Sequence, residues 1–147
     1  MLKEKTKALD FMLLDQDKKE QKLSDYKNNM MLLYFYPKDD TPGCTKEACM
    51  ITEFYDEYKK AGIVVVGVSA DSFESHVKFR AKYNLPFTLL SDPKKKVIKM
   101  YGALGPLGST KRISYLINKG VVVKVYPKVS PTTHAFEILE DVRFLKR

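Results

Sequence analysis

Cysteine is scarce in this sequence, with two in 147 residues. So few cannot build the disulfide framework that small secreted scaffolds depend on, and a chain of this length buries enough apolar surface to fold without one. Long apolar runs are missing too. The longest, Met30 to Tyr36 and Ala61 to Val68, fall far short of the roughly 18 residues that a membrane-crossing helix needs. Near the N-terminus, Lys, Glu and Asp interrupt any apolar stretch before it could serve as a secretory signal. These absences predict a soluble, cytoplasmic protein with no membrane partner.

Arginine is also in short supply: the 26 basic side chains comprise 22 Lys and 4 Arg. They outnumber the 18 acidic ones to give a net charge of +8, but the two signs alternate along the chain with no basic stripe or tail. That distribution excludes disorder as the main state and argues against a nucleic-acid partner. His76 and His134 share no ligand spacing with each other or with the cysteines, so no closed zinc site is expected and both read as surface or helix-face residues. The glycines from Gly102 to Gly108 lack the G-K-[ST] of a phosphate cradle, and the Tyr and Phe residues follow core periods, so no cofactor is expected. No repeat, low-complexity tract or linker divides the chain. With 44% hydrophobic and 30% charged residues, a single domain over 1–147 is expected.

What is present is an alternation of patterns. Met30 to Tyr36 and Ile63 to Ser69 are continuous and rich in β-formers, the signature of strands covered on both faces. Between them, Ala48, Ile51, Tyr55 and Tyr58 recur every three or four residues over Thr45 to Lys60, and Gly62 follows as a stop, which predicts one amphipathic helix. Strand, helix, strand makes a βαβ unit with a right-handed crossover. Asp71 to Glu74 has capping-box spacing before a helix carrying Phe73, Val77 and Tyr83, ended by Asn84 to Pro86. Phe87 to Leu90 reads as an edge or connecting strand, and Asp92-Pro93 as cap and first residue of a short helix. Ile113 to Ile117 and Val121 to Tyr126 flank Asn118-Lys-Gly120 as a β-hairpin. A last helix is expected from about Pro131 to Leu145 with Ser130 as its cap, and a smaller edge hairpin from Phe11 to Leu14 and Glu20 to Leu23. The predicted fold class is α/β, a central mixed sheet flanked by helices with an N-terminal β-hairpin.

In such sheets reactive groups collect where a strand's carboxyl end meets the next helix. Here that junction is Pro37 to Cys44. A cysteine in the first turn of a helix lies at the positive end of the helix dipole, near free backbone N–H groups, where a thiolate is favoured. Cys44 is therefore the candidate nucleophile. Asp39 and Asp40 nearby oppose ionisation, so a cation is expected over the site. Arg112, one of few arginines and placed where a loop enters an apolar strand, is the candidate.

The motif Pro37-x-x-x-Thr41-x-x-Cys44, with Cys49 five residues later, resembles the active-site motif of the peroxiredoxins, in particular the Q-type or bacterioferritin-comigratory subfamily. Segments such as Leu33 to Lys38, Gly67 to Asp71, Leu90 to Asp92 and Arg112 to Ile117 extend the similarity over nearly the whole chain. Leu9 in place of a usual proline, Asn28-Asn29 in place of a usual glycine, and the individual loop from Gly102 to Thr110 depart from the pattern outside the motif. The resemblance implies a thioredoxin-like fold and a monomeric thiol peroxidase acting on hydrogen peroxide and alkyl hydroperoxides, re-reduced by thioredoxin or a similar dithiol.

By the same resemblance Cys44 is the peroxidatic cysteine, oxidised to a sulfenic acid. Thr41 directs its hydroxyl toward the sulfur and the peroxide, Pro37 packs over the site to limit water, and Arg112 stabilises charge on sulfur and on the leaving oxygen. Cys49 is the resolving cysteine, forming an intramolecular disulfide with Cys44. Plainer readings stand beside each: a buried structural thiol for Cys44, helix capping for Thr41, a strand-ending proline, a surface arginine, and a core cysteine for Cys49. On an ideal helix, five residues place two Cα atoms roughly 8.7 Å apart, beyond the reach of about 7 Å that a disulfide allows. The first turns of the helix must therefore unwind before that bond can form. Two rival functions stay open at this point, a protein thiol–disulfide oxidoreductase, which would more commonly carry C-x-x-C, and a redox-regulated binding protein.

Overall fold

A computed structural model describes residues 1–146 of the chain. It begins with the edge hairpin, β1 (Met12–Asp15) and β2 (Glu20–Lys22), followed by a short 3-10 turn. The first apolar run becomes β3 (Met30–Phe35) and the second β4 (Ile63–Ser69), paired in parallel with Met30 opposite Ile63 and Phe35 opposite Val68. Between them lie α1 (Pro42–Glu53) and α2 (Tyr55–Lys60). Next come α3 (Phe73–Tyr83), β5 (Thr88–Ser91) and α4 (Lys96–Met100), then β6 (Ile113–Asn118), β7 (Val121–Tyr126) and α5 (His134–Leu145). The seven strands form one sheet in the order β2-β1-β5-β4-β3-β6-β7. The β3–β4 and β4–β5 pairs are parallel and the remaining pairs antiparallel, so the sheet is mixed, as in the thioredoxin-like fold.

Period-two alternation explains why β3 is apolar throughout. Leu32, Tyr34 and Tyr36 face one layer, with Cys44, Ala48 and Ile51 of α1, Tyr58 of α2 and Ile138 of α5. Met31, Leu33 and Phe35 face the other, with Val97 and Ile98 of α4 and Tyr101 beyond it. A strand buried on both faces has no polar side to show.

Several expectations are corrected. The helix expected over Thr45 to Lys60 begins earlier, at Pro42, and is two helices, because Phe54 leaves the helical conformation at φ −96°, ψ 12°. β5 lies inside the sheet between β1 and β4, since the N-terminal hairpin pairs on its outer side. On α3 the inward residues are His76 and Phe79, whereas Val77 is exposed. The cap of α3 is Ser72, whose side chain accepts from the Ser75 N–H, because the Asp71 carboxylate is engaged elsewhere. α4 starts at Lys96, after Lys95 in a left-handed conformation, and Asp92 caps it from a distance by accepting from the N–H groups of Lys96 and Ile98. α5 starts at His134, with Thr133 at the cap position. Neither histidine is on the surface: both are fully buried. Paired polar atoms make this tolerable. His76 lies between Asp39 and the Leu90 carbonyl, and His134 between Ser114 and Glu137.

Candidate active site

Cys44 is the third residue of α1, which places its sulfur in the helix's first turn. Thr41 holds the cap position with extended backbone, and its carbonyl accepts from the Thr45 N–H at 2.8 Å. Pro42 follows at the first helical position, where a missing N–H costs nothing. The Cys44 side chain is 1% exposed. The Thr41 hydroxyl donates to the Lys38 carbonyl at 2.8 Å and makes no cap bond to the helix. Pro37 is exposed just beyond the end of β3.

The cation comes from across the sheet. Because β6 runs antiparallel to β3 with Ile113 opposite Phe35, the residue before Ile113 emerges beside the carboxyl end of β3, where α1 begins. Arg112 reaches the site from there: Nη2 donates to Cys44 Sγ at 3.4 Å, and Nη1 donates to Glu47 Oε1 at 2.8 Å. One guanidinium thus ties the candidate nucleophile to a carboxylate one helical turn further on. Gly43 makes room for it, since a Cβ at that position would stand 2.9 Å from Nη2.

Glu47 is 1% exposed, and its second oxygen, Oε2, has no hydrogen-bond partner among the described residues. Burial pushes its carboxyl up to about 7, with Arg112 pulling in the opposite direction through charge and hydrogen bond. On the other partner, burial works against the positive charge of Arg112, but Glu47 and Cys44 outweigh it and raise its pKa. The Tyr34 hydroxyl, also buried without a partner, is held in its neutral form first by burial and then by the negative field of Glu47 and Cys44.

Cys49 lies on a different face of α1, half-buried in a shallow groove beside Thr45, Lys46 and Tyr83. Burial raises its thiol pKa, opposed by Lys46. Both cysteines are free thiols. The two acidic residues of the loop are engaged: Asp40 accepts from Lys82 at 2.8 Å and Tyr83 at 2.7 Å, which lowers its pKa, while Asp39 turns inward to His76. Asp40 itself is left-handed at φ 55°, a conformation that aspartate tolerates better than most residues.

Cys44 and Arg112, chosen from the sequence, are therefore brought together. Thr41 sits at the cap with its hydroxyl turned to Lys38, and Cys49 is near in sequence but on another face. Glu47, Gly43 and the Asp39–His76 pair escaped the sequence reading. A signal for Glu47 was present: a charged residue three positions after Cys44 shares its helix face, and the packed face of an amphipathic helix rarely carries an unpaired charge.

A cation aimed at a thiol in the first turn of a helix, behind the Pro-x-x-x-Thr-x-x-Cys loop, is the arrangement expected of a peroxide-reducing cysteine. The family model described as AhpC/TSA family matches residues 5–126. The chain belongs to the AhpC/TSA family. It is 46% identical over 140 residues to the chloroplastic peroxiredoxin Q of Sedum lineare, covering 92% of this chain and 75% of that protein. The crystal structure of peroxidoxin BcpB from Mycobacterium tuberculosis superposes with a TM-score of 0.92 at 30% identity over 100% of both chains. A bacterioferritin comigratory protein of Xanthomonas campestris, described for its alkyl peroxide reduction activity, matches with a TM-score of 0.88 at 29% identity, covering 93% of this chain and 92% of that one. This peroxiredoxin has the fold of those relatives, and its free thiols and partly buried cation fit a peroxidase. Among the described residues no helix is long and apolar enough to cross a membrane.

Proposed function

We propose that this peroxiredoxin acts as a single-domain, monomeric thiol peroxidase on hydrogen peroxide and alkyl hydroperoxides. Cys44 is the nucleophile, Cys49 the resolving thiol, and thioredoxin or a similar dithiol the reductant. The observation that carries the reading is the Arg112 guanidinium, one nitrogen on Cys44 Sγ and another on the buried Glu47. A fixed cation beside sulfur stabilises negative charge there and on the oxygen expelled when the O–O bond breaks.

In this cycle the Cys44 thiolate attacks one peroxide oxygen. An S–O bond forms as the O–O bond breaks, and the other oxygen leaves as water or alcohol after taking a proton. Pro37 and Thr41 shape the approach to the sulfur. Cys49 then attacks the sulfenic sulfur, water departs, and a Cys44–Cys49 disulfide forms, which the external dithiol reduces while becoming a disulfide itself. Because α1 runs unbroken through both cysteines, its first turns open for this step. Opening also relieves the burial that raises the Cys49 pKa, so the resolving thiol ionises more readily as it comes within reach. Reductive recycling calls for a compartment rich in dithiols, which supports a cytoplasmic location.

The test is NADPH consumption with thioredoxin and thioredoxin reductase, run with and without hydrogen peroxide. Turnover that depends on both peroxide and Cys44 is expected. Peroxide-independent reduction of protein disulfides, or turnover that survives Cys44→Ser, would refute the reading.

A further inference from the structure

Among the described residues, the most completely buried charge-bearing pair has no part in the cycle above. His76 is 0% exposed, with its Nδ1 2.7 Å from Asp39 Oδ2 and its Nε2 3.0 Å from the Leu90 carbonyl oxygen. A carbonyl can only accept, so Nε2 carries a hydrogen. At 2.7 Å, Nδ1 and Oδ2 then share one proton between them, since two bare acceptors at that distance repel. Asp39 gathers two more donors, the Tyr36 hydroxyl at 2.6 Å and the Ser75 hydroxyl at 2.8 Å. Its own backbone N–H donates at 2.9 Å to the Asp71 carboxylate, which also accepts from the Ser69 hydroxyl.

Asp39 belongs to the segment between β3 and α1, five residues before Cys44. Through it that segment is fastened to the end of β3, to β4, to α3 and, by way of His76, to β5. The neighbouring Asp40–Lys82 contact has both side chains about half exposed and is weak by comparison. The strongest tether on the active-site loop is thus the buried one.

We propose that the Asp39–His76 pair is a positioning element that keeps the loop and the first turns of α1 closed, and so decides how the Cys44 sulfenic acid is divided between two fates. The inference rests on the disulfide route proposed above. In one fate α1 opens, the Cys49 sulfur bonds to the Cys44 sulfur, and the sulfenic hydroxyl leaves with the thiol proton as water. In the other α1 stays closed and a second hydroperoxide transfers an oxygen to the sulfenic sulfur, its O–O bond breaking to release alcohol or water and leaving sulfinic acid. A firm clamp favours the closed state, hence faster capture of the first peroxide and greater exposure to the second. A weak clamp favours the disulfide.

Asp39→Ala and Asp39→Asn separate the clamp from the bulk of the fold. The asparagine amide can donate to a bare Nδ1 and its oxygen can accept from Tyr36, so that variant keeps a neutral clamp. Disulfide formation is followed by stopped-flow fluorescence, sulfinic acid by intact-mass spectrometry across a peroxide series, and local opening by amide exchange. Asp39→Ala is expected to form the disulfide about fivefold faster and to need about fivefold more peroxide to reach half overoxidation. Its loss of exchange protection should be confined to the loop and first turns of α1, with β3 and β4 unchanged. Asp39→Asn should stay within about twofold of the wild type. An unchanged division between disulfide and sulfinic acid in Asp39→Ala, or protection lost across the whole sheet, overturns the proposal. Should Asp39→Ala fail to fold, Ser75→Ala removes one donor and leaves the pair intact. A shift in the same direction of about twofold supports the clamp; His76→Gln, which removes the contact to Asp39 itself, should shift further in that direction, and no shift in His76→Gln overturns the proposal. If the wild type itself forms no Cys44–Cys49 disulfide with peroxide, the functional reading fails first; if it does and the variants do not shift, only this inference fails.

Discussion

Arg112→Ala removes one side chain and upsets two balances, which can be measured apart. The first is catalytic. Loss of a preorganised donor facing developing charge is worth about 2.7–4 kcal/mol in comparable sites, so oxidation of Cys44 should slow by roughly 10²–10³-fold. The second is thermodynamic and depends on Glu47. In the folded protein its carboxyl titrates at about 7, against a reference value of 4.5. A folded pKa above the unfolded one means that the native state holds the proton more tightly, so stability falls as pH rises from the unfolded value to the folded one and then levels off. Without Arg112 the burial stays and the opposing attraction goes, so the folded pKa climbs above 7 and the decline continues. Each further pH unit costs about 1.4 kcal/mol. At about pH 5.5 Glu47 is protonated in both folded proteins and its ionisation contributes little to their difference, whereas at about pH 8 the variant should show an additional deficit on the order of 1 kcal/mol. Urea unfolding at the two pH values measures this, and stopped-flow oxidation measures the rate. The double variant Arg112→Ala/Glu47→Gln should lose the pH-dependent deficit and keep the slow rate. A deficit of equal size at both pH values refutes the account of Glu47, and a normal oxidation rate in Arg112→Ala refutes the role of the cation.

Cys49→Ser should consume about one equivalent of peroxide at close to the wild-type rate and then stop, with a sulfenic acid at Cys44 that reacts with a dimedone-type probe; sustained thioredoxin-coupled turnover would show that another group resolves it. In the wild type, formation of the disulfide should lower amide-exchange protection over the first turns of α1, and protection that does not change on oxidation contradicts the unwinding step. Gly43→Ala would put a methyl group 2.9 Å from Arg112 Nη2. The flexible guanidinium can yield, so stability should change by less than about 1 kcal/mol while Cys44 oxidation slows by about tenfold; a rate equal to the wild type would mean that the Arg112–Cys44 contact does not govern the reaction.

The parts of this protein that sequence determined are those written in short-range pattern. The two apolar runs had to be central strands because a strand covered on both faces has no polar side, and β3 does bury alternate residues in two separate layers. The placement of Cys44 at the start of a helix follows from its position between the end of β3 and the periodic residues that begin at Thr45, all within one local segment, although the helix itself begins earlier, at Pro42. What only the tertiary structure decided depends on contacts between distant segments. β5 became an interior strand because the N-terminal hairpin came round to pair with it, and nothing within Phe87 to Leu90 announces that partner. Arg112 meets Glu47 across 65 residues and Cys44 across 68, through the antiparallel register of β6 on β3. His76 turned inward, and Val77 outward, because Asp39, 37 residues away, offered a buried carboxylate. Helical period locates a stripe only to within about one residue position, and a single buried hydrogen-bonded pair is enough to choose between neighbouring positions. Charge inside a fold is stable only beside its partner, and which partner arrives is settled by how the strands pair.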